Sequence, residues 1–183
     1  MKDLFILRHA KSSWSDPFLD DFERPLNKRG KQACVDMGQW LNKQNINADL
    51  VLCSPAKRAK DTWKRIKKEQ VAFGKKEFVA SLYLASTREL LNVIKKVPTK
   101  VSSLMLIGHN PGLHELILQL VNTKALSSEQ TQDLQHITYK FPTAGFAHLQ
   151  FAIQNWADVA PLTGKFYRMM MPSLLAKQGD EPL

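Results

Sequence analysis

The chain has 183 residues, 44% of them hydrophobic and 23% charged, which gives length for one well-buried core and too little for two. No apolar run approaches the roughly 18 residues that cross a bilayer, and the four strongly apolar residues after Met1-Lys2-Asp3 fall short of a signal-peptide core of about 7 to 15. No membrane partner is therefore expected, and a reduced cytoplasmic location is.

The two cysteines, Cys34 and Cys53, lie far apart with no His or Cys at ligand spacing, so they read as buried free thiols. Neither a metal site nor another cofactor is expected. The net charge of +9 is concentrated in Lys57, Arg58, Lys60, Lys64, Arg65, Lys67 and Lys68, with Lys75-Lys76 and Lys95-Lys96 as outliers. On a helix most of these form a solvated outer face; a basic field also draws anions toward a site. No nucleic-acid module accompanies the charge, so no nucleic-acid partner is expected.

In chain order, Leu4-Phe5-Ile6-Leu7 reads as a buried strand that breaks into Arg8-His9-Ala10. The polar stretch from Lys11 to Glu23, with Pro17 inside it, reads as a loop over the strand end. A helix is predicted over 28–43, striped by Ala33, Met37, Trp40 and Leu41. Leu50 to Cys53 is the next strand, and Ser54-Pro55 supplies an N-cap and first-turn proline for a helix striped by Ala59, Trp63 and Ile66.

A short strand at Phe78-Val79 precedes a helix from Ser86 to Val97, opened by the Ser86/Glu89 capping box. Leu104 to Ile107 is a strand that breaks into Gly108-His109-Asn110-Pro111, where Asn110-Pro111 caps a helix striped by Leu113, Ile117, Leu120 and Val121. A short helix is expected around 128–136, then strands over Gly145–Phe151 and Lys165–Met171 that pair as a hairpin. The alternation predicts one α/β domain over 1–172, a three-layer α/β/α sandwich on a mostly parallel mixed sheet, with a flexible tail over 173–183.

Ligands of open α/β sheets bind beyond the carboxyl ends of the strands. Three strand ends deliver chemistry there. The first brings Arg8 and His9; the second brings Arg58, whose helical side chain leans back toward the strand end; the third brings His109 just before a helix amino terminus. Arginine forks suit phosphate oxygens, and a neutral imidazole among cations is a competent nucleophile. These groups fit phosphoryl transfer through a phosphohistidine.

Leu7-Arg8-His9-Ala10-Lys11-Ser12 resembles the RHG/RHA signature of the histidine phosphatase superfamily. The stretch Cys53 to Thr62 resembles its S-P-x-x-R-A-x-x-T block, and Gly108-His109-Asn110-Pro111 its second histidine motif. Arg24-Pro25-Leu26 followed by Arg29-Gly30 is similar to a stretch found in the branch of small SixA-type phosphohistidine phosphatases. The resemblance covers residues 4 to about 121 and implies a phosphoglycerate mutase-like fold.

The same resemblance implies that His9 is the phosphorylated nucleophile and that Arg8, Arg58 and His109 bind the phosphoryl oxygens. Relatives often carry an Asn where this chain has Ser15, so Ser12 or Ser15 is expected to substitute, with Asn110 a further substrate-binding residue. The carboxylate that protonates an alkoxide leaving group in mutases and acid phosphatases of the family has no clear counterpart. Glu89 is the candidate by position but is already explained by its capping box, and Asp16, Asp20 and Asp21 lie in the loop, from which they could approach as the acid.

A phosphorylated imidazole needs no such acid, because it leaves neutral once protonated on its other nitrogen. The resulting expectation is a metal-independent phosphohistidine phosphatase acting on a phosphohistidine-bearing protein or a small phosphorylated substrate. The alternatives are a small-molecule phosphomonoesterase of the same superfamily and a non-catalytic phosphate- or phosphoprotein-binding module.

Overall fold

A computed structural model describes residues 1–179. Its centre is a six-stranded sheet in the order β3-β2-β4-β1-β5-β6, with β1 at Lys2–Arg8, β2 at Ala48–Cys53, β3 at Phe73–Phe78, β4 at Ser103–Gly108, β5 at Phe146–Phe151 and β6 at Lys165–Met170. The first four strands are parallel, while β5 runs antiparallel to both β1 and β6. The sheet is thus mixed, and the last two strands form the expected hairpin.

Side-chain alternation explains why the central strands read as unbroken apolar runs. Leu4, Ile6, Leu50, Leu52, Leu104 and Leu106 point into one core, which is covered by helices α3 (Thr87–Lys95), α4 (Gly112–Leu120) and α5 (Ser128–Tyr139). Phe5, Leu7, Val51, Cys53, Met105 and Ile107 point into the other, covered by α1 (Lys28–Lys43) and α2 (Lys57–Lys68). Both faces are buried, which yields the three-layer sandwich. Cys34 and Cys53 are free, buried thiols in this second core, and burial pushes each up to about 12.

Several elements differ from the sequence reading. The strand expected at Phe78-Val79 begins five residues earlier, at Phe73, although Gly74, Lys75, Lys76 and Glu77 dilute its apolar pattern. As an edge strand paired only with β2, it needs no continuous apolar run. Ser54 does not cap α2: the cap position is Ala56, without a side-chain bond. Asn110 does not cap α4 either, since Pro111 holds that position.

From Ser173 the chain is not loose but helical, as α6 (Pro172–Gly179), with Leu174 and Leu175 packed on the α1/α2 core. Residues 180–183 lie outside the described part. Among the described residues no helix is long and apolar enough to cross a membrane.

Candidate active site

In the strand order, β2, β4 and β1 are neighbours and parallel, so their carboxyl ends open side by side. Backbone hydrogen bonds continue past the strands, from His9 to Gly108 O (3.0 Å) and from Ser54 to Ile107 O (2.9 Å). The three junctions are therefore fixed to one another before any side chain is considered. A pocket of about 380 Å³ lies over them, lined by Arg8, His9, Lys11, Ser12, Trp14, Arg24, Arg58, Leu84, His109, Asn110, Lys140, Pro142 and Thr143.

The four residues expected to act together do converge. The His9 and His109 rings lie 5.0 Å apart, and Arg58 Nε donates to His9 Nε2 at 3.3 Å. His9 Nδ1 lies 2.8 Å from the Ala10 carbonyl, which only accepts, so the ring proton sits on Nδ1 and the lone pair on Nε2. Burial, reinforced by the charges of Arg58, Arg8 and Arg24, lowers His9 to about 4 despite the opposing Ala10 bond. Its imidazole is thus neutral at physiological pH.

Burial, with the His9 and Arg58 charges, lowers His109 to about 3. Its Nε2 is 2.7 Å from Ser54 Oγ, and its Nδ1 is buried without a protein partner. Ser54 is completely buried, and the hydrogen bond between its hydroxyl and Nε2 holds the orientation of the ring. The residue read as a helix cap is a positioning group for the second histidine. Nothing local reveals this, because Ser54 and His109 are 55 residues apart.

Arg8 NH1 and Asn110 Nδ2 both donate to the Phe141 carbonyl, at 2.8 and 2.9 Å, tying the ends of β1 and β4 to the segment before β5. Asn110 lines the pocket, and its Oδ1 is buried without a protein partner. Ser12 also lines it, its hydroxyl accepting from Arg24 NH2 at 2.6 Å. Ser15 does not: it is exposed and hydrogen-bonds to Ser13 Oγ at 2.8 Å.

Two residues take roles that the sequence reading did not assign: Arg24 in the pocket, and Asp21, one of the loop carboxylates considered as an acid, behind it. Arg24 is a buried arginine whose Nε bonds to the Ser13 carbonyl and whose guanidinium stacks on Trp14. Asp21 bonds to Arg24 NH1 at 2.7 Å and Arg58 NH2 at 2.9 Å, its backbone carbonyl accepts from Arg58 NH1, and Tyr83 donates to its carboxylate at 2.7 Å. Burial acts to raise the Asp21 carboxyl, but the bonds from Tyr83 and Arg24 and the charge of Arg58 prevail and hold it down at about 2. Asp21 is not a lining residue; it orients the two guanidinium planes from outside the pocket.

Of the other loop carboxylates, Asp16 and Asp20 bond to backbone amides two residues on, and Glu89 accepts from Ser86 in its capping box. None lines the pocket. His148 bonds Asp3 at 2.7 Å on the sheet and takes no part. A larger groove of about 600 Å³, between α1, α5 and β6, contains Trp40, Asp133 and Arg168 but no histidine. Among the described residues no group of three or more His, Cys, Asp or Glu could hold a metal ion.

The family model for the histidine phosphatase superfamily (branch 1) matches residues 4–76. The uncharacterized protein Rv1276c of Mycobacterium tuberculosis is 34% identical over 155 residues, 85% of this chain and 92% of its own. A candidate phosphohistidine phosphatase SixA from Agrobacterium tumefaciens superposes with a TM-score of 0.74 at 25% identity, covering 93% of this chain and 98% of that one. A further candidate SixA, from Nakamurella multipartitia, superposes with a TM-score of 0.78 at 24% identity, over 93% and 96% of the two chains. The fold is therefore phosphoglycerate mutase-like, and the chain belongs to the histidine phosphatase superfamily, in its SixA-type branch.

Proposed function

We propose that this protein is a phosphohistidine phosphatase. The observation that carries the reading is that, among the described residues, no carboxyl group capable of giving up a proton lines a pocket rich in cations. The lining residues include Arg8, Lys11, Arg24, Arg58 and Lys140, and Asp21, which contacts two of these arginines, is held ionised. An alkoxide leaving group requires a positioned acid. An imidazole protonated on its second nitrogen does not.

In the proposed reaction the His9 Nε2 lone pair attacks phosphorus as the bond from phosphorus to the substrate imidazole breaks. The substrate ring departs neutral, carrying a proton on its other nitrogen. Positive charge then develops on the phosphorylated His9 ring, whose Nδ1–H stays bonded to the Ala10 carbonyl. Water attacks phosphorus in the second step, its two protons departing with the phosphate as dihydrogen phosphate, and His9 leaves as the neutral imidazole it was at the start. Arg8, Arg24, Arg58 and His109 surround the transferring group, and their fixed charges and donors stabilise its oxygens. Guanidinium groups supply the charge that a metal would, so turnover is expected to survive a chelator.

Arg58 Nε–H rests on the same lone pair that attacks, so this donor must turn to a phosphoryl oxygen as substrate arrives. The deciding experiment compares turnover on a phosphohistidine peptide with turnover on an alkyl phosphate, together with an alkaline-quench trap. We expect a preference of at least about a hundredfold for the peptide, scaled to the 10²–10⁴-fold value of a general acid. Label should appear on His9 and be absent in His9→Ala. Preference for the ester, or label retained in His9→Ala, overturns the reading.

A further inference from the structure

We infer that the outward face of α2, together with edge strand β3, is a docking surface for the acidic face of a phosphohistidine-bearing protein. The inference names the partner of the proposed phosphatase site and rests on that reading.

Two aromatic rings organise the surface. Trp63 and Phe78 meet edge to face, with centroids 6.2 Å apart. Lys76 Nζ lies 3.9 Å from the Phe78 centroid and 4.8 Å from that of Trp63, Lys67 Nζ lies 5.4 Å from Trp63, and Lys60 Nζ 5.6 Å from Phe78. Lysines that only solvate a helix are free to spread apart, yet three here are gathered over two rings. Ring contact reduces the conformational freedom that each ammonium would lose on meeting an anion.

The ammonium groups are also unneutralised. Among the described residues, Lys75 pairs with Glu77 at 2.7 Å, while Lys60, Lys64, Lys67 and Lys76 form no salt bridge. Carboxylates are the fitting counter-ions. Bound single-stranded nucleic acid stacks its bases on open ring faces, and here ammonium groups lie over the rings.

The surface is continuous with the active site. Lys60 Nζ is 5.9 Å from the Phe22 ring, Phe22 packs edge-on against Tyr83 (5.0 Å), and Tyr83 packs edge-on against His109 (5.5 Å) while bonding Asp21. The same helix carries Arg58 into the pocket in its first turn and Lys67 on its last. Nine residues of helix separate the two, a distance of about 14 Å. A partner's carboxylates therefore lie about 14 Å from its phosphohistidine, which in an extended peptide is roughly four residues.

The test uses wild type and the triple variant K64E/K67E/K76E, whose residues lie outside the pocket, with K64Q/K67Q/K76Q as a milder replacement should the first misfold. Three substrates are compared: free phosphohistidine, a phosphohistidine peptide with Glu at positions four to six on either side, and the same peptide with Ser there. In wild type at low salt, kcat/KM for the Glu peptide should exceed that for the Ser peptide by about tenfold, with the gap closing at high salt. The triple variant should lose this preference and keep its rate on free phosphohistidine.

Fluorescence polarisation of the unphosphorylated Glu peptide reads docking without turnover and should weaken about tenfold in the variant. Binding without hydrolysis of any substrate would therefore sink the phosphatase reading and leave the docking surface standing. Equal rates on the two peptides in wild type, or a Glu preference surviving in both variants, overturns the docking surface. So does tighter binding of a single-stranded RNA oligomer than of the Glu peptide at equal charge, which would assign the face to nucleic acid.

Discussion

At His9, the Ala10 carbonyl selects the tautomer and burial beside arginines keeps the ring neutral, the form that the proposed nucleophile requires. Arg8, His9, Arg58 and His109 were legible because each stands at a fixed offset from the end of an apolar strand, so one sheet edge collects them all. Arg24 was not legible as a pocket residue, because it sits in a loop without periodicity. Its direction is set by the Ser12–Leu26 bridge and by its bonds to Ser12, Ser13 and Asp21. Arg24→Ala should weaken competitive inhibition by inorganic phosphate by about ten- to a hundredfold, the worth of one hydrogen bond to a charged group. Arg24→Lys should recover only part of this, since an ammonium cannot reproduce the fork. Unchanged inhibition constants would remove Arg24 from the phosphate grip.

The loop over the site is an element with an anchor. Its two ends are bonded to each other, Ser13 N to Pro25 O at 2.8 Å and Asn27 N to Lys11 O at 3.0 Å, and Asn27 caps α1 by accepting from Gly30 N at 2.8 Å. Gly30 then packs so closely that a Cβ there would lie 2.1 Å from the Lys11 carbonyl oxygen. The contact is with backbone, so a side chain cannot simply turn away. Gly30→Ala should destabilise the protein by about 1–3 kcal/mol, the cost of overpacking, and lower kcat/KM by shifting Lys11 two residues from His9. Urea denaturation and kinetics on the soluble fraction check this; wild-type stability in Gly30→Ala would show that α1 and the loop move freely. The α1 boundaries were legible because its apolar stripe is local, whereas β3 was only partly legible because an edge strand answers to one neighbour.

For the whole molecule, folding places two neutral imidazoles in a cationic pocket, and this makes stability depend on pH. His9 and His109 have folded-state values of about 4 and 3, below the ordinary value of about 6.5 that they recover on unfolding. Between these values the unfolded chain binds more protons than the folded one, so stability rises with pH in that window. It is complete above about 6.5 and falls as pH drops toward 4 and then 3. Asp21, held at about 2, adds a separate loss below the ordinary carboxylate value of about 4. The urea midpoint should therefore decline from pH 6.5 to 4, and His9→Gln/His109→Gln should flatten that decline. A wild-type midpoint constant from pH 8 to 4 would contradict the burial of neutral histidines.

The sequence alone determined the alternation of strands and helices, the two-sided burial of the central strands, and the three junctions that carry Arg8, His9, Arg58 and His109. All of these are local, because apolar periodicity and strand-end offsets are written within a few residues. Only the tertiary structure decided that Ser54 serves His109 instead of α2, that Asp21 braces Arg24 and Arg58, and that α6 covers the core where a loose tail was expected. Each of these links residues brought together by chain closure. A polar loop or a short terminal helix leaves no periodic trace of the partner it will meet.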